Sequence, residues 1–199
     1  MTAFINSLKP SIIMLITFLF LGGVLYPLVV EGISHLFFRE QANGSLIRQD
    51  GKVVGSRLIG QEFDDPKYFW GRLSATTPPY NGGASSGSNF GPTNQALLDE
   101  VSGRIKALKD ADPSNNARVP ADLVTSSGSG LDPDISPAAA FYQEGRIARL
   151  RHLPRTTVHA LIVRSVEGPQ WGLFGEPRVN VLELNLALDR TSGMATRSR

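Results

Sequence analysis

No cysteine occurs among the 199 residues, which excludes disulfides and thiol chemistry and leaves the redox compartment open. An excess of one charge is missing too, with 20 Lys and Arg against 18 Asp and Glu. No basic block of the kind that binds nucleic acid is present, so the chain has no nucleic-acid partner. The net charge of +2 includes Lys9, so the remainder is near neutral, and the pI of about 9.1 is a small excess spread over many groups. No internal repeat occurs, and no acid precedes Glu31. Glycine (20) and proline (13) are plentiful, but they gather in loops rather than recurring at a period.

What is present first is a run of twenty residues without a charged side chain, Ser11–Val30. As a helix it spans roughly 30 Å, the thickness of a bilayer's hydrocarbon core, with its backbone hydrogen bonds satisfied internally. A cleaved signal peptide is the alternative; the long apolar region, the thin basic flank and the lack of a small-x-small site favour an uncleaved anchor. Gly22 and Gly23 offer a packing face for another membrane helix, and Pro27 is expected to loosen or end the last turn. Lys9 and the α-amino group flank one end, while Glu31, His35, Arg39 and Glu40 mix signs at the other. The positive-inside rule then puts the amino terminus in the cytoplasm and the larger part of the chain outside.

The organisation expected is a flank (1–10), a transmembrane helix (11–30), an amphipathic stalk (31–44), one mixed α+β extracytoplasmic domain (45–190) and a flexible tail (191–199). Ile33, Leu36, Phe37 and Phe38 make the apolar face of the stalk, which stops at Asn43-Gly44. Asp50-Gly51 between two short runs predicts a hairpin. Residues 61–92 read as a long aromatic-bearing loop, of the kind that is usually functional. A helix follows from Asn94, with Leu97, Leu98, Val101, Ile105 and Leu108 on one face, and ends at Asp112-Pro113. Ser136-Pro137 predicts an N-cap and a first helical proline, with Gly145 a point where the helix breaks or bends. Pro154 starts another helix, with Val158, Leu161, Ile162 and Val166 at helical spacing. From Val179 to Leu188, apolar residues alternate with Glu183, Asn185 and Ala187, which predicts a closing strand.

Several partial motifs carry possible chemistry. Gly83-Ala84-Ser85-Ser86-Gly87 matches the GxSxG pattern, with His152 and His159 downstream, yet no apolar strand enters the turn as a nucleophile elbow requires. Ser127-Gly128-Ser129-Gly130 could cradle an anion with backbone N–H groups, but lacks the ending of a P-loop. Asp132 and Asp134 begin like a calcium loop and then depart from it. His152 and His159, separated by Pro154, do not share a helix face, and no metal site is expected. The residues alone describe an anchored, non-catalytic domain; the alternative is a membrane-anchored extracytoplasmic hydrolase or binding module using the Ser/Gly-rich loops.

Two stretches are more specific. Phe69-Trp70-Gly71-Arg72-Leu73-Ser74-Ala75, Tyr80-Asn81, Ala84–Asn89 and Gly91–Asn94 form one. Asp122–Pro133, Ile135–Ala140, Gln143, Arg146–Ala148 and Arg151 form the other, followed by Asn180-Val181-Leu182-Glu183-Leu184-Asn185. Together they resemble the C subunit (KdpC family) of the bacterial Kdp-type potassium-transporting P-type ATPase. The resemblance runs from the anchor to about Asp189. It departs at Leu73, where the family usually has proline, and at Ser126, where alanine is usual.

The resemblance implies an accessory, non-catalytic, single-pass subunit in the bacterial inner membrane, among membrane lipid. Its partners are a catalytic ATPase subunit, a channel-like potassium-binding subunit and a small hydrophobic one. It implies no cofactor of the chain's own, ATP shared with the catalytic subunit, and potassium as the transported ion; the chain lacks the DKTG phosphorylation sequence. Two roles stay open. One is chaperone-like help to ATP binding, with Ser127, Gly128, Ser129, Gly130 and Gln143 at the nucleotide. The other is a cap over the potassium entrance, with Asp132 and Asp134 favouring cations. Trp70, Gly71, Arg72, Asn81, Ser86, Ser88, Asn89, Asn94, Asp132 and Asp134 are the candidate loop and partner contacts.

Overall fold

The computed structural model describes residues 2–197. Met1, in the expected flank, and residues 198 and 199, in the expected tail, lie outside the described residues. The chain divides into two compact units, Met1–Leu46 and Ile47–Arg199.

The first unit is helical: α1 (Thr2–Phe20), a π-helical turn (Leu21–Leu25), α2 (Tyr26–Phe37) and the short α3 (Arg39–Ala42). Leu8–Phe37, 30 residues, is long and apolar enough to cross a membrane, so the apolar stretch takes in the first half of the expected stalk. Pro27 does not end the helix. It lacks the N–H that a regular turn needs and crowds the carbonyl four residues back, and a widened turn just before it accommodates both; there the N–H of Tyr26 donates to Leu21 O. Gly22 and Gly23 lie in that widened turn. The break comes at Phe38 (φ −133°), and Ser45 N–H donates to Glu40 O at 2.9 Å as the chain leaves α3.

The second unit opens with β1 (Leu46–Gln49) and β2 (Lys52–Ser56), a two-stranded ribbon. Asp50 and Gly51 both have positive φ (51° and 79°), the conformation a tight two-residue turn demands. After a long irregular stretch comes α4 (Gln95–Ala111), whose cap Asn94 accepts from Ala96 N–H at 2.9 Å. Leu98 is 51% exposed, off the face it was expected to share, because Leu108 and the partly buried Val101 and Ile105 already fill the contact. Then follow β3 (Asp134–Ile135) and α5 (Pro137–Leu150), capped by Ser136, which accepts from Ala139 N–H at 3.0 Å. Gly145 neither breaks nor ends α5. α6 (Arg155–Ser165) begins after Pro154, and Val166 leaves it to start β4 (Val166–Glu167).

β5 (Arg178–Asn180) is the centre of a three-stranded sheet, order β3-β5-β4, antiparallel on both sides, with Val179 opposite both Ile135 and Val166. The expected closing strand ends there, and α7 (Val181–Arg197) takes its place. Val181, Leu182, Leu184, Asn185 and Leu188 are the buried positions, and within them Val181, Leu184, Asn185 and Leu188 repeat as i, i+3, i+4, i+7, which suits a helix. The alternating pattern fits both periods. What decides it is Asn180, whose side chain accepts from Glu183 N–H at 3.1 Å and caps the first turn. The first residues of the expected tail, from Thr191, continue that helix, with the Thr191 hydroxyl donating to Ala187 O at 2.9 Å. The core gathers Phe69, Leu123, Ile147, Val158, Ile162, Val179, Leu184 and Leu188, drawn from α5, α6, α7, the sheet, the long loop and a short helical turn (Ala121–Leu123).

Candidate functional site

The loop 61–92 is organised by side chains from elsewhere, which is why sequence periodicity shows nothing there. From Pro66 to Leu73 each backbone carbonyl has a donor. Arg146 Nη1 donates to Pro66 O. Arg151 reaches Lys67 O at 3.0 Å, and Arg146 Nη2 reaches Tyr68 O at 3.1 Å. Asn185 reaches Phe69 O, Gln143 reaches Trp70 O and Arg104 reaches Gly71 O, all at 3.0 Å. The Tyr80 hydroxyl donates to Arg72 O at 2.6 Å, and Ser127 N–H to Leu73 O at 3.1 Å. A buried backbone must pair its polar groups; here arginines and carboxamides stand in for neighbouring strands.

Two carboxamides make the centre of this arrangement. Asn185 on α7 accepts from Phe69 N–H (2.9 Å) while donating to Phe69 O, and Gln143 on α5 does the same for Trp70 (2.8 Å). Gln143, 1% exposed, also donates to Ala139 O at 3.3 Å and accepts from Arg146 at 2.6 Å. Both donors and the acceptor oxygen of its carboxamide are thereby engaged inside the domain. The guanidinium groups of Arg104 and Arg146 both stack on Trp70, 4.8 and 4.7 Å from its ring centroid. Arg146 is 2% exposed, and burial pulls it down to about 10, so it stays charged at neutral pH.

The two glycine-serine loops, read apart in the sequence, lie against each other. Ser86 N–H and the Ser85 hydroxyl both donate to Ser129 O at 3.0 Å, and the Ser74 hydroxyl donates to Gly130 O at 2.7 Å. A Cβ on Gly87 would stand 2.7 Å from Gly128 O. Ser127 is buried, and the Ser126 hydroxyl donates to Glu100. Leu73 and Ser126, the two departures from the family pattern, pair with each other as a bridge. Asn81 closes its own turn, accepting from Gly83 N–H (3.0 Å) and donating to Thr77 O (3.2 Å), and Asn89 donates to Gly87 O at 3.3 Å. Ser88 lies half-buried in the same loop.

The two acids are each neutralised: Asp132 by Arg72 at 3.0 Å and Asp134 by Arg178 at 3.1 Å. Burial raises the carboxyl of Asp134, with Arg178 pulling the other way. Ser85 is spent on Ser129 O, while His159 meets Glu144 at 3.1 Å on another element, so the hydrolase constellation is not assembled. Among the described residues no three His, Asp or Glu side chains gather as a metal site. Sequence reasoning missed Arg104, the clamp role of Asn185 (read only as part of the closing motif) and the hairpin tip Trp171, Leu173 and Phe174. The contacts of the first two give no local signal, because their partners lie 33 and 116 positions away.

Tyr80 supplies a pH test of the arrangement. Burial pushes its phenol up from 10.0 to about 12. A folded-state value raised above the unfolded one means that this contribution to stability is complete below pH 10 and is lost as the pH rises through about 12. The tyrosinate absorbance difference between the wild-type chain and Tyr80→Phe is expected to titrate near 12. A midpoint at the ordinary value would show an exposed phenol.

The family model described as "K+-transporting ATPase, c chain" matches residues 8–190. The chain belongs to the KdpC family. It is 61% identical over 186 residues to the potassium-transporting ATPase KdpC subunit of Methylococcus capsulatus, covering 93% of this chain and 98% of that one. The subunit of the same name from Paraburkholderia xenovorans is 60% identical, covering 92% of this chain and 96% of that one. That of Dechloromonas aromatica is 59% identical, with 93% and 97% covered. The KdpC match takes in the apolar helix, both glycine-serine loops and the carboxamide clamps together.

Proposed function

We propose that this chain is the accessory, non-catalytic subunit of an ATP-driven potassium uptake complex, and that it holds the catalytic, channel-like and small hydrophobic subunits together. The observation that carries the reading is the KdpC match spanning Leu8 in the apolar helix to Arg190 in α7. In this reading the apolar helix crosses the bacterial inner membrane with Lys9 on the cytoplasmic side, and the second unit stands outside, over the potassium entrance. The stretch 81–94 supports a contact role: it has no charged residue, and from Gly82 to Ser86 and again from Asn89 to Asn94 it is exposed. Charged residues are depleted at the centre of protein interfaces, and an uncharged loop fits that composition.

ATP then lies across the membrane from Ser127–Gly130 and Gln143. Gln143 is saturated within the domain and Ser127 is buried, which supports assistance to ATP binding through the assembled complex rather than through contact with nucleotide. The test is a mild-detergent pull-down of the tagged full-length chain from potassium-starved cells. A co-purifying P-type ATPase with potassium-stimulated hydrolysis is the expected result; a lone chain would overturn the reading.

A further inference from the structure

The hairpin between β4 and β5 ends in a tip that the domain itself does not use. Trp171 is 84% exposed, Leu173 77% and Phe174 57%. Single exposed apolar side chains are ordinary, but three on one short loop mark an interaction site. The tip is also stiff. Gln170 and Phe174 exchange backbone hydrogen bonds at 2.8 and 3.0 Å, and Gly172 N–H closes on Pro169 O at 2.9 Å. The rings of Trp171 and Phe174 meet edge-on, 6.0 Å between centroids. Trp171 has φ 55°, a conformation that is costly for a bulky residue and gathers at functional positions.

The stem is braced as well. Arg178 bonds Glu167 (3.0 Å) and Asp134 (3.1 Å), and Arg57 bonds Glu183 (3.2 Å) as well as Glu167. A rigid aromatic loop loses little freedom on binding, which is the usual make-up of an interface anchor. From Gly168 to Gly175 there is no charge, and the next residue, Glu176, is exposed and has no ion pair among the described residues.

We propose that this tip plugs into another subunit of the same complex, into an apolar pocket with a basic rim that meets Glu176. The proposal rests on the subunit reading above. A lipid surface also accepts tryptophan, but anionic headgroups disfavour a tip flanked by Glu176 whose nearby cations, Arg57 and Arg178, are already paired.

The test compares the tagged full-length chain with the double variant Trp171→Ala/Leu173→Ala, with Trp171→Tyr and with Glu176→Arg, each scored for ATPase retained through dilution in mild detergent. The double variant is expected to hold its partner at least about tenfold more weakly. Trp171→Tyr is expected to keep most of the retention and Glu176→Arg to lose part of it. The near-ultraviolet signal of the buried Trp70 checks that each variant is folded. If the wild-type chain carries no ATPase, the subunit reading falls and this proposal falls with it. If the wild type retains ATPase and the double variant matches it, only the docking proposal falls. Quenching of Trp171 fluorescence by brominated lipid in the purified complex would assign the tip to the bilayer and overturn it likewise.

Discussion

Arg146→Met is expected to destabilise the domain by about 3 kcal/mol, read as a shift in the denaturant midpoint of the full-length chain in detergent. The guanidinium makes bonds to Pro66 O, Tyr68 O and Gln143 Oε1 and stacks on Trp70. Charge-assisted bonds contribute about 1.5–3 kcal/mol each, and a carbonyl left unpaired in the interior keeps its desolvation penalty. Against this stands the cost of burying the cation. Its fall from the ordinary guanidinium range to about 10 corresponds to roughly 3 kcal/mol, which methionine removes. Three bonds outweigh that relief, so the sign is a loss. Arg146→Lys is expected to recover only part of it, because an ammonium can neither fork to two carbonyls nor stack flat on the indole. A loss below about 1 kcal/mol for Arg146→Met would mean that the segment 66–73 holds its shape without this residue.

Gly130→Ala is the second large effect, also about 3 kcal/mol. Gly130 has φ +69°, and a Cβ there would stand 2.6 Å from Thr76 Cγ2 and 2.7 Å from Ser86 O. The left-handed conformation costs an alanine roughly 1–2 kcal/mol, and crowding a packed site adds about 1–3. Thr76 cannot turn away, because its hydroxyl donates to Pro78 O and accepts from Asn81 N–H. Ser86 is fixed by its own bond to Ser129 O. The control is Gly128→Ala, where nothing lies within 4 Å of the new methyl group and φ is not left-handed. Limited proteolysis should then cut the Ser85–Asn89 loop faster in Gly130→Ala alone. Equal behaviour of the two variants would show that the two loops are not locked together.

The local start and stop signals were readable because they act over one turn. Asn94, Ser136-Pro137 and Asp50-Gly51 each satisfy or shape the backbone within three residues of themselves. The apolar helix was readable for a similar reason, since a long run without charge leaves few other fates. Val179–Leu188 misled because its leucines fit a period of two as well as one of 3.6. The cap from Asn180 to Glu183 was the local signal that separates them.

The sequence by itself therefore determined the apolar helix, the capped helices of the domain and the family, through motifs whose order survives in the chain. Only the tertiary structure decided what those motifs do. Gln143 and Asn185 clamp Phe69 and Trp70, the two glycine-serine loops close on each other, and Asp132 and Asp134 are neutralised by arginines. Each of these pairs a polar group with a partner far along the chain, and a buried polar group takes whichever partner the packing brings near. No local pattern encodes that choice. The tip at Trp171 shows the converse: its exposure becomes evident only once the core is known to be complete without it.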